Sequence, residues 1–176
     1  MKKIISLGIA CMSLLVVTPA LAANQGTVGA TSQGSAVVNL SIADLIRISD
    51  MNDFALGSYS GTGDLDANDN VCVWRNKTGG SYKVTATATE GAFKIKAGAE
   101  ELAYSVFFND QTGTSGEIAV AYNTVTATQT GANTQSASCA TGGLSSNIHI
   151  RILESALQAA QPGAYTGTLI VTVEPV

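Results

Sequence analysis

Tyr82, Val84, Ala86 and Ala88 alternate with Lys83, Thr85, Thr87 and Thr89. A period of two predicts a half-buried strand with a threonine-rich outer face. The same period returns at Ala36, Val38, Leu40 and Ile42, set against Val37, Asn39 and Ser41. It returns again at Ile148, Ile150 and Ile152, set against His149 and Arg151, and at Leu169, Val171 and Val173. Shorter apolar runs at Leu45–Ile48, Phe54–Leu56, Val71–Trp74, Phe93–Ile95, Tyr104–Phe108 and Ile118–Tyr122 are further strand candidates. Asx-, Ser- and Gly-rich stretches at 57–70, 76–80 and 110–116 read as loops and turns between them. Strands at a spacing of roughly 8–12 residues predict an all-β antiparallel β-sandwich of about eight or nine strands. Ser155–Gln161 reads as a short helical turn before Pro162-Gly163. No long amphipathic pattern is present, which argues against enzymes built on parallel sheets with crossover helices.

The N-terminus carries a different pattern. Lys2 and Lys3 precede an apolar run from Ile4 to Val17, and Ala20-Leu21-Ala22 is a small-x-small cleavage signal. Residues 1–22 therefore read as an export signal removed before Ala23, and no transmembrane segment is expected in the mature chain. Residues 23–35 are rich in Gly, Ser, Thr and Gln and read as a flexible leader. Residues 36–176 read as one sandwich domain, whose first segment, 36–48, is a candidate strand for donation or for pairing at home. Cys11 leaves with the signal, so Cys72 and Cys139 remain. An even count in an exported chain predicts one disulfide, Cys72–Cys139. Loss of Lys2 and Lys3 leaves seven basic residues against 13 acidic ones, a net charge of −6. The few Lys and Arg are scattered, which excludes the basic stripe that nucleic acid demands and argues against charge-driven binding to an anionic bilayer.

Few residues offer reactive chemistry. His149 is the only histidine, and its place opposite three isoleucines predicts a solvent-facing strand residue. No nucleophile elbow, zinc-protease or phosphate-loop motif accompanies it. Asp64-Leu65-Asp66-Ala67-Asn68-Asp69-Asn70 spaces oxygens like the start of a calcium loop. The sixth and twelfth places hold Asp69 and Arg75 where such a loop needs Gly and Glu, so an Asx-rich turn is expected. Asn76-Lys77-Thr78 matches a glycosylation acceptor and reads here as a turn. Trp74, Tyr82, Tyr104, Tyr122 and Tyr165 are expected mainly in the core, whereas Tyr59 lies in a Gly/Ser loop. Trp74 and Tyr59 are the candidates for surface binding of a sugar or a protein. No catalytic residue, metal ligand or cofactor is assigned, and the chain is not expected to be an enzyme.

Ala36–Ile48 (AVVNLSIADLIRI) resembles the N-terminal segment of alpha-class, colonisation-factor-type fimbrial major subunits. Glu101–Val106 (ELAYSV) and Gln161–Leu169 (QPGAYTGTL) are similar to stretches of pilin-like and spore-coat-U-like exported β-domains. The resemblance spans most of the mature chain as short motifs. It implies an immunoglobulin-like sandwich and a chaperone–usher fimbrial subunit. In that family an N-terminal extension of one subunit completes the sandwich of the next by β-strand addition. Carried over, Ala36, Val38, Leu40 and Ile42 are the donor-strand face. The expected partners are other fimbrial subunits, a periplasmic chaperone and an outer-membrane usher. A self-complete secreted module that binds carbohydrate or a surface protein is the alternative. Alternation identifies a strand face and not the strand's destination.

Overall fold

The computed structural model describes residues 23–176. The expected export signal at 1–22, with Cys11, lies outside the described residues. The chain divides into two compact units between Ile42 and Ala43, seven residues beyond the expected domain start at 36.

In the N-terminal unit, Asn24 and Ser35 exchange main-chain hydrogen bonds of 2.8 and 2.9 Å and close a Gly-rich loop. Residues 36–42, expected as the first strand, form no strand. Their apolar side chains stay exposed: Val38 92%, Leu40 83% and Ile42 73%. The alternation is real, but among the described residues no strand edge pairs with it.

The second unit is all-β, with strands β1 (Ile46–Ser49), β2 (Leu65–Arg75), β3 (Tyr82–Ala88), β4 (Lys94–Ala97), β5 (Glu100–Ala103), β6 (Ser105–Asn109), β7 (Ile118–Val120), β8 (Ser146–Ile152) and β9 (Leu169–Pro175). The short helix α1 (Glu154–Ala159) follows β8 where a helical turn is expected. No helix among the described residues is long and apolar enough to cross a membrane. One sheet has the order β1-β2-β8-β6-β7, β3 pairs with β9, β4 pairs with β5, and every ladder is antiparallel.

The core lies between the five-stranded sheet and the β3–β9 pair. Val71, Val73, Val106, Phe108, Ile148 and Ile150 from one layer meet Tyr82, Val84 and Ala86 from the other. Strand β3 alternates buried and half-buried positions along its whole length, because its threonines face outward. Its far edge is covered by residues 123–129. Asn123 and Thr126 donate main-chain bonds to Ala86 and Val84, and Gln129 exchanges bonds with Tyr82. Gly80 lies against Ala132, whose oxygen would sit 2.6 Å from any Cβ placed there, so the turn before β3 admits only glycine. Burial pushes the Tyr82 phenol well above its ordinary pKa, and its hydroxyl shares a 2.8 Å hydrogen bond with Ser146 Oγ.

Beyond Val71, strand β2 leaves β8 and takes new partners. Asn133 N donates to Val73 O, Arg75 N donates to Asn133 O, and Ser145 N donates to Val71 O. The loop that supplies these partners is stapled by the Cys72–Cys139 disulfide.

Candidate functional site

The strand edges left open among the described residues include those of β1 and β9. Strand β1 ends the five-stranded sheet and bonds only β2; β9 bonds only β3. The segment following β1 and the segment preceding β9 separate to form a groove of about 1170 Å³. One wall is 51–59 and the other is 160–169. The floor is apolar: Leu65, Ile95, Leu102, Tyr104, Ile150, Ile152 and Leu157. The main chain of 53–59 bonds to no other main chain among the described residues. Asn52 is fixed by Asp69, whose carboxylate accepts from its main-chain and side-chain nitrogens at 2.7 and 3.1 Å. The opposite wall is held from behind, where Thr166 and Lys96 exchange main-chain bonds of 2.8 and 2.9 Å. An apolar trough with one wall, 53–59, free of main-chain bonds suits an added strand: main chain pairs with that wall and alternate side chains fill the floor.

Tyr59 lines this groove, with its hydroxyl buried and without a hydrogen-bond partner. Trp74 is half-buried on β2 beside Arg47 of β1 and lies outside the groove. The two candidate binding aromatics are therefore not brought together. Ala36, Val38, Leu40 and Ile42 belong to the separate N-terminal unit.

His149 departs from expectation. Its side chain points away from the isoleucines, as alternation requires, yet His149 is only 4% exposed. Phe107 stacks on the imidazole at 5.2 Å, and the Arg151 guanidinium lies 5.6 Å from the same phenyl ring. Glu117 carboxylate oxygens lie 2.9 and 3.0 Å from Nδ1, and Asp66 Oδ1 lies 2.9 Å from Nε2. The outer face of the sheet is thus roofed by its own side chains, and the histidine clasps β2 and β8 to the start of β7. Burial opposes ionisation of Asp66, but hydrogen bonds from Arg151 and His149 outweigh it and hold the carboxyl below the usual range.

The Asp64–Asn70 run also departs from expectation, since all but Asp64 lies within β2. Its oxygens have separate partners. Asp64 accepts from Glu154 N, Asp66 from Arg151 and His149, and Asp69 from Asn52, while Asn68 and Asn70 accept from Asn147. Among the described residues no three His, Cys, Asp or Glu side chains gather as metal ligands.

His149→Ala removes the buried ring that bridges two carboxylates. The expected loss is on the order of 1 kcal/mol, the net worth of a hydrogen bond, because Asp66 and Glu117 both keep access to water. Asp66 titrates lower in the folded chain than in the unfolded one, so its stabilising contribution is complete above the ordinary carboxylate range and disappears as pH falls through its lowered value. The difference between wild type and His149→Ala in urea midpoint therefore narrows in acid. An equal difference at pH 3 and pH 7 would contradict the clasp.

No protein-family model matches the chain, and no curated protein matches it. One similar solved structure is described as "Chaperone-tip adhesin complex is vital for synergistic activation of CFA/I fimbriae biogenesis". The likeness covers 74% of this chain and 41% of that chain, at 16% sequence identity and a TM-score of 0.48. This chain thus spans less than half the length of that one.

Proposed function

We propose that the protein is a non-catalytic structural subunit of a bacterial surface fimbria, assembled by donation of a strand from one copy to the groove of the next and serving adhesion. The observation that carries this reading is the apolar groove whose 53–59 wall makes no main-chain bonds, in a chain that also bears an exposed alternating segment. Separately, each is an unsatisfied feature: an apolar floor open to water, and a row of exposed Val38, Leu40 and Ile42. Joined between copies, they bury each other. The same logic assigns the chain to the cell exterior, reached through the periplasm. There a chaperone covers the groove before assembly, and an outer-membrane usher passes subunits on. No cofactor takes part.

Mature protein spanning 23–176 is expected to form a ladder of multimers that resist dissociation, visible on gels without heating. Deletion of residues 23–42 abolishes the ladder. A stable monomer whose 36–42 amides are protected from hydrogen exchange would overturn the reading, because the strand would then be used at home.

A further inference from the structure

Arg75 is 1% exposed, at one end of the sandwich. Its Nε and Nη2 donate to Asp44 Oδ1 and Oδ2 at 3.0 and 2.5 Å; Nη1 donates to Ser81 O; Nη2 also donates to the Val176 main-chain oxygen at 2.6 Å. One guanidinium thus ties the residues just before β1, just before β3 and just after β9. Asn76 reinforces it: Oδ1 accepts from Leu45 N, and Nδ2 donates to Ala43 O, both at 2.8 Å.

The consequence for the groove is geometric. Strand β1 runs away from this latch, and β9 runs into it. Their Cα atoms approach within 8 Å. A strand inserted between two ladder partners needs about twice the 4.7–4.9 Å interstrand spacing. No strand fits between β1 and β9 while the latch holds; farther along, walls 51–59 and 160–169 stand apart over the open floor.

We infer that the Arg75–Asp44 latch is an end-stop that sets the register of the strand docking in the groove. Arg75 and Asp44 are positioning residues, and the inference rests on the strand-donation reading. The side chains supply little register of their own. Val38, Leu40 and Ile42 are all aliphatic and the floor is apolar along its length, so a two-residue slip keeps apolar side chains over apolar surface. A closed end removes that freedom by exclusion.

The test uses the mature full chain carrying Leu40→Asp, which keeps its own segment out of neighbouring grooves and leaves them free, and a synthetic peptide of the native sequence 36–42 with a benzophenone at one end or the other, with adducts mapped by mass spectrometry; the variants at 44 are made in this background. With Asp44 intact, adducts fall within 51–59 and 160–169. In Asp44→Ala they spread onto 46–49 and 170–175, and Asp44→Glu restores confinement. Asp44→Asn replaces Asp44→Ala if circular dichroism shows the latter unfolded. Groove adducts that spread onto 46–49 with Asp44 intact, or that ignore the variants, overturn the end-stop and leave strand donation standing. Absence of adducts in the groove of every variant overturns both.

Discussion

Replacing Cys72 and Cys139 by alanine is expected to lower stability by roughly 4 kcal/mol, the chain-entropy value for a loop of this length. The bond closes a sequence separation of 67 residues, so the reduced chain gains a large freedom when it unfolds. Against a typical total of about 5–15 kcal/mol, such a loss leaves the domain marginal. The position of the bond adds a local prediction. Cys72 is fully buried where β2 exchanges β8 for the loop carrying Asn133, Cys139 and Ser145. Ser145 Oγ accepts from Val73 N and donates to Val73 O. Asn133 organises the loop itself, its Nδ2 donating to Thr141 and Gly143 oxygens and its Oδ1 accepting from Gln135 and Ser136. Those bonds are irregular and lie outside any strand ladder, so the sulfur bridge holds them in register. Hydrogen exchange of the reduced protein should lose protection at 71–75 and 133–145 before it is lost at 146–152. A urea midpoint displaced by less than about 1 kcal/mol equivalent would show that the loop holds β2 without the disulfide.

The fold was legible where a strand has one apolar and one polar face. Tyr82–Ala88 and Ser146–Ile152 alternate cleanly, and both lie as expected, with Val84, Ala86, Ile148, Ile150 and Ile152 turned inward. Alternation reports a face, but not what covers it. Alternation puts His149 on the correct side of β8 and leaves out its environment, because Phe107, Asp66 and Glu117 arrive from other strands and from a loop distant in sequence. Asx-rich composition misled at Asp64–Asn70. Asp and Asn favour turns because they bond their own backbone, but here Asp66 and Asn68 bond side chains of β8 instead. Cross-strand pairs of that kind outweigh weak intrinsic propensity. The groove was the least legible feature. Its walls, 51–59 and 160–169, carry little regular pattern, and only the fold places them opposite each other. The latch likewise joins an Asp, an Arg and two backbone oxygens from four separate places.

Leu40→Asp is expected to abolish multimer formation, whereas Asn39→Asp leaves it intact. Both substitutions add one negative charge to the same exposed segment, so net charge and solubility change equally. They differ only in the face of a strand on which the charge falls. Leu40 shares its face with Ala36, Val38 and Ile42; Asn39 shares the other with Val37 and Ser41. Full burial of a leucine is worth about 1.5–3 kcal/mol, and a carboxylate set against an apolar floor adds a desolvation penalty. Together these exceed a hundredfold in affinity, since each 1.4 kcal/mol is about tenfold. Residue 40 is 83% exposed in the single chain, so the substitution costs the monomer little, and melting of the isolated subunit should stay unchanged. That combination, lost assembly with an unaltered subunit and a dependence on odd or even position, is the signature of a strand buried on one face in another copy. Equal effects at 39 and 40 would indicate a segment that associates by bulk hydrophobicity or charge. No effect at either would leave the groove to some other occupant.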